Sequence, residues 1–507
     1  MKKRMLYPIV LGTLINSLWV TMRNTIKRNI TRTLFAPVLV LLSTGVWSFA
    51  NAATYHVRVD GNDTSCNGSA NASSSTAPNC AFRTVQKGLN VAQAGDTVSV
   101  HAGNYSTATI NSVRAGTASA RITISGAGDG TATLGRTNIL AGHDYITMRG
   151  LNFAGFTNGT AGKPSVSQTL INVKGKYFTY TNNHMQPTNA GSYGFALGIR
   201  TNAAYTTISD STFEAGTVVN GPSFFNVITL DYGGDNAYIN HNIFKNMIDV
   251  ERVFELWANN IKISNNEIYN LKSTWPSWCH PDIWQTWASP APANLLVENN
   301  YLHDLQTQIG IVEYGITRTA NTPWIFRNNV FANIDMCQFI GVEKVYWYNN
   351  TFYRVSRGCP APINGGYKGA DKLDVRNNIF VGSGTNDNNG WYAFQSGTGD
   401  YNFVSTLTYG KKGGFSEAHG INGGNPMFVN AKSDCINNAC DFHLAAGSVV
   451  IGKATTITNV SADGTPISAF STDKDGKSRT TGHWDMGAYA YGSNVATILP
   501  PQNLRVY

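Results

Sequence analysis

Apolar and polar residues alternate in short runs along much of this chain, as in Ile261-Lys262-Ile263-Ser264, where every second side chain would face a core. Such runs lead into Asn-Asn or a close variant, and after one intervening residue comes a large apolar side chain. The pattern recurs as Asn182-Asn183-His184-Met185, Asp210-Ser211-Thr212-Phe213, His241-Asn242-Ile243-Phe244, Asn265-Asn266-Glu267-Ile268, Asn299-Asn300-Tyr301-Leu302, Asn328-Asn329-Val330-Phe331, Asn349-Asn350-Thr351-Phe352 and Asn377-Asn378-Ile379-Phe380. Its second position repeats at intervals of 28, 31, 24, 34, 29, 21 and 28 residues, the length of a solenoid coil with insertions.

A turn between two short strands needs a residue that tolerates left-handed backbone, and stacked Asn amides can hydrogen-bond from coil to coil. Chance similarity in an Asn-rich sandwich would not keep so many occurrences in phase. The expectation is therefore an all-β chain wound as a right-handed parallel β-helix. Its ends break the pattern. Ala81 to Tyr105 reads as an amphipathic helix near Val85 to Ala94, the turn Ala94-Gly95-Asp96, and the strand Thr97-Val98-Ser99-Val100. That helix would cap the open edge of the first coil. After about residue 425 the period fades toward Trp484-Asp485-Met486-Gly487-Ala488-Tyr489. The expected layout is a targeting segment over 1–52, an N-terminal cap and first coil over 53–105, coils over 106–424, and a C-terminal coil and cap over 425–507.

Charge changes the picture little. Seven positive charges of the formal net +8 sit at Lys2, Lys3, Arg4, Arg23, Lys27, Arg28 and Arg32, in a stretch without Asp or Glu, so the remainder is near neutral. Bulk charge thus gives no argument for nucleic acid or a membrane surface as partner. Residues 22–53 have the layout of a secretory signal: a basic start, an apolar run from Leu34 to Phe49, and Ala50-Asn51-Ala52 as a small-x-small cleavage site. Met22 is an alternative start to Met1. The expectation is export to the periplasm, cell surface or medium, with no stable membrane insertion afterwards, as a monomer. Seven cysteines in an exported chain favour disulfides. Cys66 with Cys80 and Cys435 with Cys440 form local pairs, and Cys337 with Cys359 is the preferred third, leaving Cys279 as a thiol beside His280.

Asp60-Gly61-Asn62-Asp63, Phe82-Arg83-Thr84-Val85-Gln86-Lys87-Gly88-Leu89, Ala94-Gly95-Asp96-Thr97-Val98 and Gly103-Asn104-Tyr105 resemble the opening of secreted right-handed parallel β-helix proteins of the pectate-lyase-like superfamily. The Asn-Asn-x-Phe coils and the closing Trp484-Asp485-Met486-Gly487-Ala488-Tyr489 are similar to the same group. The resemblance implies the fold across nearly the whole mature chain. Its chemistry stays open, because the group spans lyases, hydrolases, epimerases and non-catalytic surface proteins.

Counting back eleven residues from each turn gives Asn172, Arg200, Asp231 and Glu255, side chains that would form one polar column at the strand spacing of about 4.8 Å. Adjacent carboxylates repel or recruit a cation, and Arg200 would stabilise them or hold a substrate carboxylate. The next coil carries an insertion, Trp275-Pro276-Ser277-Trp278-Cys279-His280-Pro281-Asp282-Ile283-Trp284-Gln285-Thr286-Trp287. Asp282 would extend the column, with Glu313 and Tyr314 on the coil after. Trp257, Trp278, Trp284 and Trp287 would offer flat faces to sugar rings; the alternative is an apolar cap over the helix.

Two mechanisms fit such a cluster. β-Elimination of a uronate polymer needs a charge clamp and a base, here Arg200 as clamp, Asp231, Glu255 and Asp282 as Ca²⁺ ligands, and His280 as base. Glycoside hydrolysis needs two carboxyl groups, roughly 5 Å apart on adjacent coils or about 9.6 Å across a skipped one. The expected function is cleavage of an acidic polysaccharide by elimination. Hydrolysis on the same fold and non-catalytic glycan binding are the alternatives.

Overall fold

The computed structural model describes residues 52–154, 169–187, 197–215, 224, 226–273, 282–288, 290–312, 323–336, 344–355, 372–382, 398–405, 417–479, 482 and 484–492. The chain separates into Met1–Asn51 and Ala52–Tyr507, and the second unit carries all the structure below. The targeting segment, Cys279, Cys337 and Cys359 lie outside the described residues.

The strands form a parallel β-helix with three walls. Among the described residues, the first wall is a sheet of thirteen strands that runs from Thr54–Val57 to Thr398–Asp400, each paired in parallel with its counterpart one coil away. The second wall follows the Asn turns and includes Thr212–Glu214, Ile243–Ile248 and Glu267–Lys272. The third wall comprises Thr137–Ile139, Thr169–Val173, Leu197–Thr201, Asn226–Leu230, Arg252–Leu256 and Asp282–Thr286. Successive parallel crossovers of this kind wind right-handed.

The two residues of each Asn pair divide the work of the turn. The first takes the left-handed backbone, with φ of 52° at Asn182, 51° at Asp210, 54° at His241, 55° at Asn265 and 58° at Asn299. The second turns inward and builds a buried amide ladder. Asn266 Nδ2 donates to Asn300 Oδ1 at 3.0 Å, and Asn300 Nδ2 donates to Asn329 Oδ1 at 3.0 Å. The backbone N–H of each member also donates to the next amide oxygen, 2.9 Å for Asn300 to Asn329. The ladder runs on through Asn350 and Asn378 to Asn402, so buried polar groups that would be costly alone satisfy one another. Ser211 takes the place of Asn in one coil and accepts from Asn183 N instead.

The apolar residue after each turn points into the core, where Phe213 stacks on Phe244, Phe331 on Phe352, and Phe352 on Phe380, each at 4.8 Å between centroids. Such pairs add about 0.5–1.5 kcal/mol each beyond burial.

The N-terminal helix spans Val85–Val91, capped by Thr84, whose side chain accepts from Lys87 N. Its buried face packs on the strands Thr54–Val57 and Thr97–Val100. Gly88 is required there, because a Cβ would lie 2.7 Å from a Val98 methyl. The expected turn before Thr97–Val100 is present, with Gly95 at φ +97° and Asp96 accepting from Gln93 N and Ala53 N. The disulfides Cys66–Cys80 and Cys435–Cys440 are formed as expected.

At the other end the chain lies along the outside of the later coils. Asn328, Asn349 and Asn377, the left-handed residues of three turns, donate to the carbonyls of Thr472, Asp485 and Thr455. Trp484 and Met486 pack with Ile325, Tyr346 and Ile379 in a second apolar cluster. Among the described residues, no helix is long and apolar enough to cross a membrane.

Candidate functional site

Strand alternation on the third wall decides which side chains face out. In Arg252–Leu256, Phe254 and Leu256 are fully buried, whereas Glu255 between them is partly exposed. The register aligns Asn172, Arg200, Thr229, Glu255 and Gln285 on successive coils. This corrects the column expected from sequence: Thr229, not Asp231, sits between Arg200 and Glu255. The reason is local. The connection after Asn226–Leu230 carries two extra residues, in a turn where Gly234 N donates to Asp231 O at 2.9 Å and Gly233 adopts φ +90°.

Asp231 nonetheless belongs to the cluster. It stands just past the strand, where its backbone N–H donates to Thr201 O at 2.8 Å, and its carboxylate accepts from Arg200 Nε. Arg200 therefore leans onto the coil after its own. Glu255 leans the opposite way, its Oε2 accepting from Asn226 Nδ2 at 2.5 Å and from Thr229 Oγ1 at 3.4 Å. Both side chains thus bond to the intervening coil, Glu255 along the strand Asn226–Leu230 and Arg200 just past its end. The Arg200 and Asp231 side chains remain 30% and 21% exposed, open to a ligand from solvent.

Behind them is a buried polar layer that sequence reasoning missed. Arg252 bonds Glu251 at 3.2 Å and Asn226 Oδ1 at 3.4 Å, so it braces the amide that holds Glu255. Asn226, Thr229, Glu251 and Arg252 are all at most 5% exposed. The one sequence signal was Glu251-Arg252, a charged pair at the point where the strand Arg252–Leu256 begins.

Aromatic rings edge the same wall. Trp257 follows Arg252–Leu256 by one residue, as Trp287 follows Asp282–Thr286. Trp287 is 47% exposed and Tyr232 is 58% exposed, with Tyr232 meeting Trp257 edge-on at 5.3 Å. The Arg252 guanidinium lies 6.0 Å from the Trp287 ring. Tyr232 was not foreseen, because a lone Tyr before two glycines carries no periodic signal.

Two expectations need correction. Trp284 is not a surface ring: it is 1% exposed and stacks on Phe254 at 6.5 Å inside the helix. The inserted coil resumes regular strand at Asp282, so alternation sends Trp284 inward. Asp282 does not extend the Arg200–Glu255 column; it pairs in register with Arg252 and is buried, while Gln285 takes the column position. Asp231, Glu255 and Asp282 therefore do not converge as one cation site, and among the described residues no three acidic, His or Cys side chains group in that way. Trp278, His280, Glu313 and Tyr314 lie outside the described residues.

No known family pattern matches the chain, and no curated protein does. Among solved structures, it is similar to XylC, solved in complex with xylose, with a TM-score of 0.55 at 12% identity over 86% of this chain and 98% of that one. Pectate lyase Pel9A gives a TM-score of 0.47 at 14% identity over 88% of this chain and 98% of that one. The PL6 family alginate lyase AlyGC gives 0.47 at 14% identity over 68% of this chain and 53% of that one. The chain is a right-handed parallel β-helix, and its likeness to XylC in fold spans nearly the whole of that chain.

Proposed function

We propose that the protein is exported and cleaves an acidic, uronate-containing polysaccharide by β-elimination on the third wall. The observation that carries this reading is that Arg200 and Glu255 flank Thr229 in register, each bonded to the coil between them, on the wall that also bears the exposed rings of Tyr232 and Trp287. The rings would stack on sugars, and Arg200, oriented by Asp231, would bind the carboxylate of the sugar at the reacting centre. Its charge stabilises the carbanion character that develops at C5. Glu255 would accept the C5 proton; the C–H electron pair becomes the C4–C5 double bond as the C4–O bond breaks, and the departing oxygen takes a proton from water. The two disulfides are of the kind that oxidising compartments sustain, which supports export.

The test is to incubate the full mature chain with polygalacturonate, alginate and glucuronate-bearing polymers, following the absorbance of unsaturated ends together with reducing ends. Rising absorbance that Glu255→Gln abolishes supports elimination. Reducing ends without absorbance would move the assignment to hydrolysis, and binding without new ends would make the wall a glycan-binding surface.

A further inference from the structure

A second cleft lies far along the helix from the third-wall site, between the last described coils and the C-terminal segment. Its volume is about 540 Å³, and it is lined by Tyr401, His419, Lys453, Thr455 and Thr456 among others. That volume falls within the range of small-ligand sites. One side is a rigid aromatic platform: the His419 ring lies on Tyr401 at 4.4 Å and 6° between planes. Asp400 fixes the imidazole, accepting from His419 N and bonding His419 Nδ1, both at 2.8 Å. The His419 side chain stays 56% exposed, so the ring face away from Tyr401 is open.

The facing side is equally fixed. Thr455 N donates to Asn377 Oδ1 at 3.0 Å, Gly452 N donates to Asp485 Oδ1 at 2.6 Å, and Gly482 N donates to Thr456 Oγ1 at 3.2 Å. From this anchored loop projects Lys453, exposed and with no side-chain partner among the described residues. A flat ring, hydroxyl groups and an uncommitted ammonium around one space match a pyranose that carries a carboxylate.

We propose that this cleft is a second saccharide-binding site, selective for a uronate residue, with His419 backed by Tyr401 as the stacking face and Lys453 as the partner of the sugar carboxylate. The choice of a uronate rests on the proposed function, but the site is separate from the third wall. It would hold a distant stretch of the same polymer and raise the local substrate concentration without touching the reacting bond.

The experiment is calorimetric titration of tetragalacturonate, and of neutral xylotetraose, into the full chain carrying Glu255→Gln to stop turnover, alone or with Lys453→Ala, His419→Ala or Arg200→Ala. Two classes of site are expected for tetragalacturonate. Lys453→Ala weakens one of them roughly tenfold, as loss of a charge-assisted contact should, while Arg200→Ala weakens only the other. Xylotetraose should not discriminate between the Lys453 variant and its parent. Binding lost with Lys453→Ala but indifferent to Arg200→Ala would uphold the cleft and overturn the third-wall reading. Binding indifferent to both Lys453→Ala and His419→Ala, or no binding of tetragalacturonate at all, overturns the cleft proposal. Unchanged thermal unfolding of the Lys453→Ala chain, and the same binding loss with Lys453→Gln, separates the effect from misfolding.

Discussion

Arg200 and Glu255 stand two coils apart, yet both reach for the coil between them: Arg200 donates to Asp231, and Glu255 accepts from Asn226 and Thr229. A guanidinium and a carboxylate that belong to different coils are therefore both anchored to the coil that separates them.

Arg200→Ala should lower cleavage of a uronate polymer by about 10²–10³-fold, the effect of removing one stabilising donor from a reacting centre. Because the Arg200–Asp231 pair is partly solvated, stability should fall by no more than about 1 kcal/mol. Product absorbance and thermal unfolding on the same sample check both halves. A variant that unfolds instead would make the pair a structural brace.

Glu255→Gln should remove on the order of 10³-fold of the activity while leaving substrate binding largely intact. Asn226→Ala, which strips the 2.5 Å donor from Glu255, should lower kcat more than it raises KM. Steady-state kinetics on one defined oligomer would show the split, and an equal rise in KM would argue that Asn226 merely shapes the binding surface.

Two tryptophans three residues apart should behave oppositely. Trp284→Ala opens a cavity in the core beside Phe254 and should cost about 3–5 kcal/mol in chemical denaturation. Trp287→Ala, at an exposed position, should change stability by about 0.5 kcal/mol or less but weaken oligosaccharide binding roughly two- to tenfold.

Much of this was legible in the chain, for a physical reason. A buried amide at the same point of successive coils leaves a repeated letter in the sequence, so strand phase and the inward apolar row of Ile268, Leu302 and Phe331 could be read from Asn266, Asn300 and Asn329. The column at Arg200 and Glu255 followed from that phase by counting. The count failed at Asp231 because the turn through Tyr232 and Gly233 holds two residues more than its neighbours, and loop length leaves no periodic mark. It gave no guide at Asp282 and Trp284, because the stretch from the strand Asp282–Thr286 to the next turn at Asn300 is again longer than its neighbours. Asn226 and Arg252 escaped notice because their importance lies in contacts between coils, which no local pattern announces.

The ladder itself can be tested. Asn300→Ala deprives Asn266 N and Ile263 O of their buried partners and should cost about 2–5 kcal/mol. Asn299→Gly, next to it, keeps the left-handed backbone and should cost less than about 1 kcal/mol. Equal losses in denaturant melts would mean that the two positions do not divide the turn in the way described.

The C-terminal segment should be held more weakly in alkali. Burial draws the His443 pKa down, but bonds to Asp475 at 2.9 Å and Asp441 at 2.5 Å outweigh it and leave the group above its ordinary 6.5. His303, buried and bonded to Asp304 and Glu267, is raised on the same balance, and Asp304 in turn accepts from Cys435 N. A raised folded-state pKa gives stability that is complete below about 6.5 and fades as pH climbs through the raised value. Unfolding midpoints measured between about pH 6 and pH 9 should therefore fall, and His303→Gln with His443→Gln should flatten the decline.

The amide ladder has a consequence for how such a chain can change. Windings of unequal size would slip progressively against one another if each passed its surplus to the next. Here the strand Tyr238–Asn240 meets Thr207–Ser209 residue for residue despite the longer bend before it. Every revolution is reset at one corner, so segments at the other corners can grow, shrink or acquire new side chains without displacing what lies above and below. A scaffold of this kind can be retuned toward a different polymer one winding at a time.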